Sequence, residues 1–370
     1  MDLFQHPYYR MNKILLMIIG QWPYQSTCVR MGILAVILVG GSSLLVPQIV
    51  AVVKNHDDWE FLLISASPFL FEVGLIVRLI STIWNTKNIL KLLNRIRMDW
   101  QVWGRDQEVE FIHEYAEQGR KSTNMYAGNL SIVTGSLKVD RKFAIPVDYY
   151  NLDGQEYYFY ISTHIVVCVT VGGIIIIAIN TMFIVCVQHG CGLFGAVGMK
   201  LQLTGENEKP TDTVETACAT TKKHMNFDHI VSCINHHNDA IEFTKLINAT
   251  YSWSFFFFVG CNVLMTTNEP LKNTRFIAFL VANTMHLYVE TNMSQLLMDH
   301  RSSTKYLLLC RYNNQWYRLS PVAQKLLVLM TLRCNVPCKL VAGKILTISI
   351  ENFVTILRTS LSYFTLLRSM

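Results

Sequence analysis

Cys186, His189 and Cys191 lie close together, and Cys334 stands four residues before Cys338, so thiols and an imidazole come near enough to suggest a metal site. Neither group completes a four-ligand set at zinc spacing, and no metal or cofactor is expected. His236 and His237 sit side by side on the polar face of a helical stretch. His286 and Glu290 are four apart, one helical turn, and can pair with each other. Glu72 stands in an apolar run, where a carboxylate is costly and usually serves function or a partner. Its nearest cation, Arg78, is six residues on, a poor helical spacing for an ion pair. No Ser-His-Asp set, phosphate loop or carboxylate pair stands out, so the chain does not read as an enzyme. The other chemical pattern is a stripe. Asn352, Thr355, Thr359, Ser362 and Ser369 fall at steps of three and four, with Leu366 completing the series. Hydroxyls along one line of an apolar helix either pack closely against other helices or face water in a pore.

The elements that carry these residues are membrane-grade. The chain has 370 residues, 51% hydrophobic and 16% charged, against about 25% charged in an ordinary soluble domain. Mean hydropathy is +0.28. Most of the ten Cys lie in apolar runs, where a thiol acts as a small hydrophobe. No cleavable signal peptide is evident. The expected class is all-α, a polytopic membrane helical bundle. An amphipathic stretch around residues 11–22 suits the membrane interface. Span one is expected over 31–53 and span two over 61–84, separated by the short acidic loop HDDWE. Further spans are expected at 159–187, in the 250s and at 275–297, with 188–227 as a polar loop. Between Asp299 and Lys344 eight basic residues face one acid, which places that segment in the cytoplasm.

Parity exposes a gap. Basic flanks put the end of span two inside, and the 299–344 segment must also be inside. Three clear crossings between them give the wrong side, so a fourth is needed between Arg97 and Tyr158. The candidate is 122–137, uncharged but weakly apolar and about 24 Å long as a helix, short of a ~30 Å hydrocarbon core. With it the pattern is seven-transmembrane, with a weak or truncated third span. The amino terminus is then cytoplasmic and the carboxyl terminus extracellular. The organisation becomes a cytoplasmic segment (1–29), spans one to four (30–187), and a cytoplasmic loop and helix (188–248). Spans five and six (249–298), the basic cytoplasmic segment (299–344) and the last span (345–370) follow.

That orientation is the reverse of a G-protein-coupled receptor, and the DRY and NPxxY motifs of that class are absent. The chain instead resembles the insect odorant receptors. The resemblance rests on FIVCVQHGCGLFGAVG (183–198), HHNDAIEF (236–243), SQLLMDHRSS (294–303), Tyr312 with Trp316 and Tyr317, KLLVLMTLR (325–333), PCKLVAGK (337–344) and SIENFVTILRTSLSYFTLL (349–367). The first half matches in pattern more than in motif. The resemblance implies a plasma-membrane subunit of an odorant-gated, non-selective cation channel, assembled as a hetero-tetramer with a shared odorant co-receptor. The partners are then that co-receptor, a small volatile or hydrophobic odorant and membrane lipid, with no nucleic acid. It implies that the last helix lines the pore, with Thr359, Ser362, Leu366 and Ser369 on the ion path and Leu366 near a hydrophobic gate. It implies an odorant pocket in the outer half of the bundle, with Phe69, Glu72, Tyr160, His164, Trp253 and Phe257 as candidates. It also implies a cytoplasmic subunit anchor, to which His236, His237, Tyr312, Trp316 and Tyr317 are assigned. The weak third span departs from the family pattern and raises a splice or gene variant without a normal pocket. The other readings are a gustatory-type receptor of the same superfamily, whose Gln-Phe tail this chain lacks, and a transporter, for which no inverted repeat is found.

Overall fold

The structure is a computed structural model that describes residues 3–103, 109–135, 145–150, 152, 156–206, 216–268, 274–312, 321–336 and 338–369. Its axis is α7 (Tyr158–Glu206), a single helix of 49 residues. Every residue from Ile175 to Phe194 is buried. A helix apolar on all sides must be enclosed by others. Around it stand α2 (Thr27–Ser42), α4 (Trp59–Trp84), α6 (Val109–Gly135), α8 (Thr216–Asn268) and α9 (Thr274–Tyr312). At ~1.5 Å per residue α7 is about 73 Å long, more than twice a hydrocarbon core. The expected loop at 188–227 is therefore corrected. Residues 188–206 continue α7 and 216–227 begin α8, because apolar residues keep their helical spacing past the membrane-length run.

Span one is a single membrane-length stretch, Thr27–Lys54, divided at Ser43–Leu44 into α2 and α3 (Leu45–Lys54); the backbone stays right-handed helical there, and Pro47 removes the N–H that would bond back to Ser43. Asp58 starts α4 by accepting a hydrogen bond from the Phe61 N–H at 3.1 Å. The amino-terminal α1 (Pro7–Ile18) packs into the bundle, with Tyr9, Leu16 and Trp22 buried and Tyr9 Oη accepting from Trp100 Nε1 at 2.8 Å. Its apolar face finds the end of the core instead of lying free.

Two ends of the bundle can be told apart. At one, Lys54 pairs with Asp148 at 2.9 Å and the Asp148 N–H donates to the Pro47 carbonyl. At the other, α5 (Thr86–Trp103) is tied by Arg95 to Asp99 at 3.1 Å and to Asp239 of α8 at 2.8 Å. Between residues 103 and 145 the chain passes from the second end to the first, along α6. That helix runs antiparallel to α7: Ile112 faces Gly192, Gly119 faces Gln188, and Tyr126 reaches Asn180. Carried on at one residue per residue, Gly135 stands level with about Val171, roughly 20 Å short of the first turn of α7. The stripe of α7 that α6 covers at Gln188, Gly192 and Gly195 is exposed at Phe159, Thr163, Val166 and Thr170. The stretch 122–135 is thus helical and continuous with the polar segment before it, and no described residue of α6 stands level with the first turns of α7.

The carboxyl-terminal part holds α10 (Pro321–Cys334) and a small hairpin absent from the sequence reading. Strands β1 (Val341–Ala342) and β2 (Leu346–Thr347) pair antiparallel. The hairpin is docked on α8: Asn248 Oδ1 accepts from Val341 N–H at 2.7 Å, and Ser252 Oγ donates to the Val341 carbonyl at 2.6 Å. It delivers the chain to α11 (Ile350–Ser369), whose first turn is closed by Ser349 Oγ accepting from Asn352 N–H at 3.3 Å. Phe353 packs α11 onto Val259 of α8 and Leu287 of α9.

Candidate functional site: an apolar cavity and its polar margins

A cavity of about 130 Å³ lies between α2, α4 and α7, towards the Lys54 end. Leu38, Phe71, Leu75, Val169 and Ile175 contribute to its wall, with Ile145 from the segment before α7. Among the described residues none of α6 lines it. Its wall is apolar except at Glu72, a carboxylate only 8% exposed. Gln48 Nε2, from α3, donates to Glu72 Oε2 at 3.2 Å. Gln48 is 2% exposed, and its Oε1 is enclosed without a partner. Arg78 does not reach Glu72.

One turn beyond the cavity, towards the Lys54 end, a hydrogen-bonded chain forms a roof. Burial pushes the Tyr149 phenol up to about 12, so the hydroxyl keeps its proton near neutrality. It donates to His164 Nδ1 at 2.6 Å. His164 Nε2 then carries the ring proton and donates to Ser43 Oγ at 2.8 Å. Ser43 donates onward to the Gly40 carbonyl at 2.6 Å. The break between α2 and α3 is what presents Ser43 to α7. Cys168 Sγ, one turn along α7 at 3.5 Å from His164 Nε2, joins the roof to the cavity wall.

Arg78 belongs to a second polar cluster just below. It is wholly buried, and its Nη2 donates to Glu290 Oε1 of α9 at 2.7 Å and to Asn180 Oδ1 of α7. Its Nη1 meets His286 Nε2 at 2.8 Å. A guanidinium only donates, so Nε2 accepts and Nδ1 carries the ring proton, directed at Tyr126 Oη of α6 at 2.6 Å. The Phe258 ring of α8 lies 5.0 Å from the guanidinium carbon, close enough for a cation–π contact. His286 and Glu290 do not merely pair with each other, as their spacing suggests. Arg78 stands between them and ties five helices together. Sequence reasoning missed this cluster, although one signal was there. Two opposite charges in separate spans, Arg78 and Glu290, each need a partner.

The other candidates lie apart. Phe69 is half-buried on α4 but is not among the cavity-lining residues. Tyr160 is 72% exposed on the bare stretch of α7. Trp253 and Phe257 are 51% and 45% exposed on α8, where they contact each other and Phe256. None of these four joins Glu72 and His164. His237 is turned inward, 1% exposed, with Cys334 Sγ 3.4 Å from its Nε2 and the Phe194 ring beside it. It has no surface to offer another subunit, because the helix face that looks polar in sequence is closed by α7 and α10. His236 is half-buried against Trp103 at 4.5 Å. His189 Nε2 lies 3.0 Å from Asp99 Oδ2, and Cys186 and Cys191 are buried in the core. Among the described residues no three metal-ligating side chains converge. On α11, Thr355, Thr359 and Ser362 are exposed, on the side opposite buried Phe353 and Ser360. The side chains of Leu366, Ser369 and Tyr312, and all of Trp316 and Tyr317, lie outside the described residues.

The arrangement is that of a membrane receptor bundle of the insect olfactory receptor kind. The structure of the insect olfactory receptor OR5 from Machilis hrabei in complex with eugenol has the same fold, with a TM-score of 0.73 over 97% of each chain at 12% identity. A second structure of that receptor matches with a TM-score of 0.73 over 99% of this chain and 98% of its own, at 11% identity. A family model described as 7tm Odorant receptor matches residues 58–361. The chain belongs to the 7tm odorant receptor family.

Proposed function

We propose that this chain is an odorant-tuning subunit of a ligand-gated, non-selective cation channel in the plasma membrane, assembled with a shared odorant co-receptor. The observation that carries the reading is the buried, almost wholly apolar cavity inside a bundle of this family, with one carboxylate in its wall. Such a site suits a small hydrophobic ligand held by shape and a single polar contact. On this reading Glu72 touches the odorant and His164 fixes the roof through Ser43 and Tyr149. Phe69, Tyr160, Trp253 and Phe257 act, if at all, from outside the cavity as it stands.

The amino terminus is then cytoplasmic and the carboxyl terminus extracellular. The long inner parts of α7 and α8, with α5 and α10, form the subunit anchor. Thr359 and Ser362, exposed on α11, face the ion path together with Leu366 and Ser369. Opening widens the hydrophobic constriction at Leu366, which ends dewetting. Among the described residues the cavity is lined from α2, α4, α7 and the segment before α7, so on this reading the ligand site does not depend on the described part of α6. The test is a recording from cells that express this chain with a co-receptor subunit, against a broad odorant panel. The expected result is an odorant-evoked cation current absent from the co-receptor alone. No current to any odorant, with the chain present at the cell surface, overturns the reading.

A further inference from the structure

The one charged group in the cavity wall is the Glu72 carboxyl. Glu72 presents a carboxylate, and the amide that holds it has already given its Nε2 hydrogen to Oε2 at 3.2 Å. What the amide has left is Oε1, enclosed and unpartnered. Among the described residues no Lys, Arg or His lies within ion-pair distance of Glu72. Arg78, the cation nearest in sequence on the same helix, turns both terminal nitrogens to Glu290, His286 and Asn180 instead. A buried carboxylate without a cation is an uncompensated cost, met by a proton, a partner or a ligand that brings the opposite charge.

From this we infer that the ligand class of the cavity is a small primary amine, bound as its ammonium, with an apolar body of about six to eight non-hydrogen atoms. The inference rests on the cavity's being the odorant site. An ammonium carries three N–H donors, no acceptor and the charge opposite to that of the Glu72 carboxylate in the wall. A ketone, aldehyde or ester brings only acceptors and leaves Glu72 unpaired. A carboxylic acid adds a second negative charge. A single alcohol hydroxyl satisfies one acceptor and leaves the charge in place. The size follows from the volume. A cavity of roughly 150 Å³ takes benzene, and about 130 Å³ takes a ring or chain of that order.

Three probes of one shape separate the alternatives: cyclohexylamine, cyclohexanol and cyclohexanone. Their binding to the full chain, co-expressed with a co-receptor and held in nanodiscs, is measured by calorimetry near neutral pH, with co-receptor alone as the blank. A charge-assisted contact predicts cyclohexylamine about 10- to 100-fold tighter than cyclohexanone. In Glu72→Gln that ratio falls to near one, and Glu72→Asp keeps part of it. Thermal melting of each unliganded variant reports whether the fold survives. Equal binding of the three probes, or an amine preference that persists in Glu72→Gln, overturns the amine inference and leaves the cavity as an odorant site. If none of the three binds, or if the cavity-filling Ile76→Trp leaves their binding unchanged, the cavity reading fails and the amine inference with it.

Discussion

Arg78 is the residue on which the interior turns. A guanidinium with no exposed surface is tolerable only because Glu290, His286 and Asn180 converge on it from two other helices. Removing one partner leaves a buried charge alone, a loss of about 3–5 kcal/mol. Glu290→Gln or Arg78→Met is therefore expected to lower the melting temperature sharply and to reduce surface expression. The double variant Arg78→Met with Glu290→Met is expected to recover most of that loss, since no charge is then stranded. Melting curves in detergent, with surface biotinylation, check both. The roof is weaker. Tyr149→Phe deletes one neutral hydrogen bond to His164, worth about 0.5–1.5 kcal/mol, and mainly loosens the 145–149 segment over the cavity. The expected readout is faster hydrogen exchange in that segment with a nearly unchanged melting temperature. Glu72 as a functional candidate is visible in sequence, because a carboxylate in an apolar run must have a reason. The true partner of Arg78 is not visible, because Glu290 lies 212 residues away and only the folded bundle brings them together.

At the scale of elements, the hairpin carries α11 in place. Gly343 has φ +57°, and a Cβ there would lie 2.6 Å from the Phe256 ring on α8. Gly343→Ala meets both a left-handed backbone and that ring, a cost of about 1–3 kcal/mol. It is expected to unseat β1 and β2 and to raise proteolysis around residue 343, followed by limited digestion in membranes. The outward stripe of α11 predicts a pattern of its own. Thr355→Cys, Thr359→Cys and Ser362→Cys are expected to make the odorant current sensitive to charged thiol reagents, whereas Ser360→Cys, on the buried face, is not. The stripe could be read from steps of three and four alone, as could α4 and the membrane half of α8. The α2–α3 break could not, because Ser43 gains its reason from His164, 121 residues further on. Nor could the continuation of α7 past His189. Residues 190–199 stay apolar, but the run is then longer than a membrane needs, and His189 gains its partner only from Asp99, 90 residues away.

At the scale of the whole molecule, the family and the all-helical class could both be argued from sequence. The form of the third helix could not. The stretch 122–137 looks too short alone, yet residues 122–135 continue a helix that starts at Val109 and leans on small residues of α7, Gly192 and Gly195, for close approach. The cavity's position was also hidden. It lies on the α2–α4 side of α7, where no described residue of α6 lines it, so a third helix continuous with the polar segment before it and a ligand site coexist in one chain. That coexistence is the central claim, and one recording tests it most directly. Cells co-expressing a co-receptor with either the native chain or Ile76→Trp are challenged with the odorants that activate the native pair, with surface levels measured in parallel. The account predicts a cation current from the native pair and its loss in Ile76→Trp at equal surface level. A current undiminished by filling the cavity contradicts it.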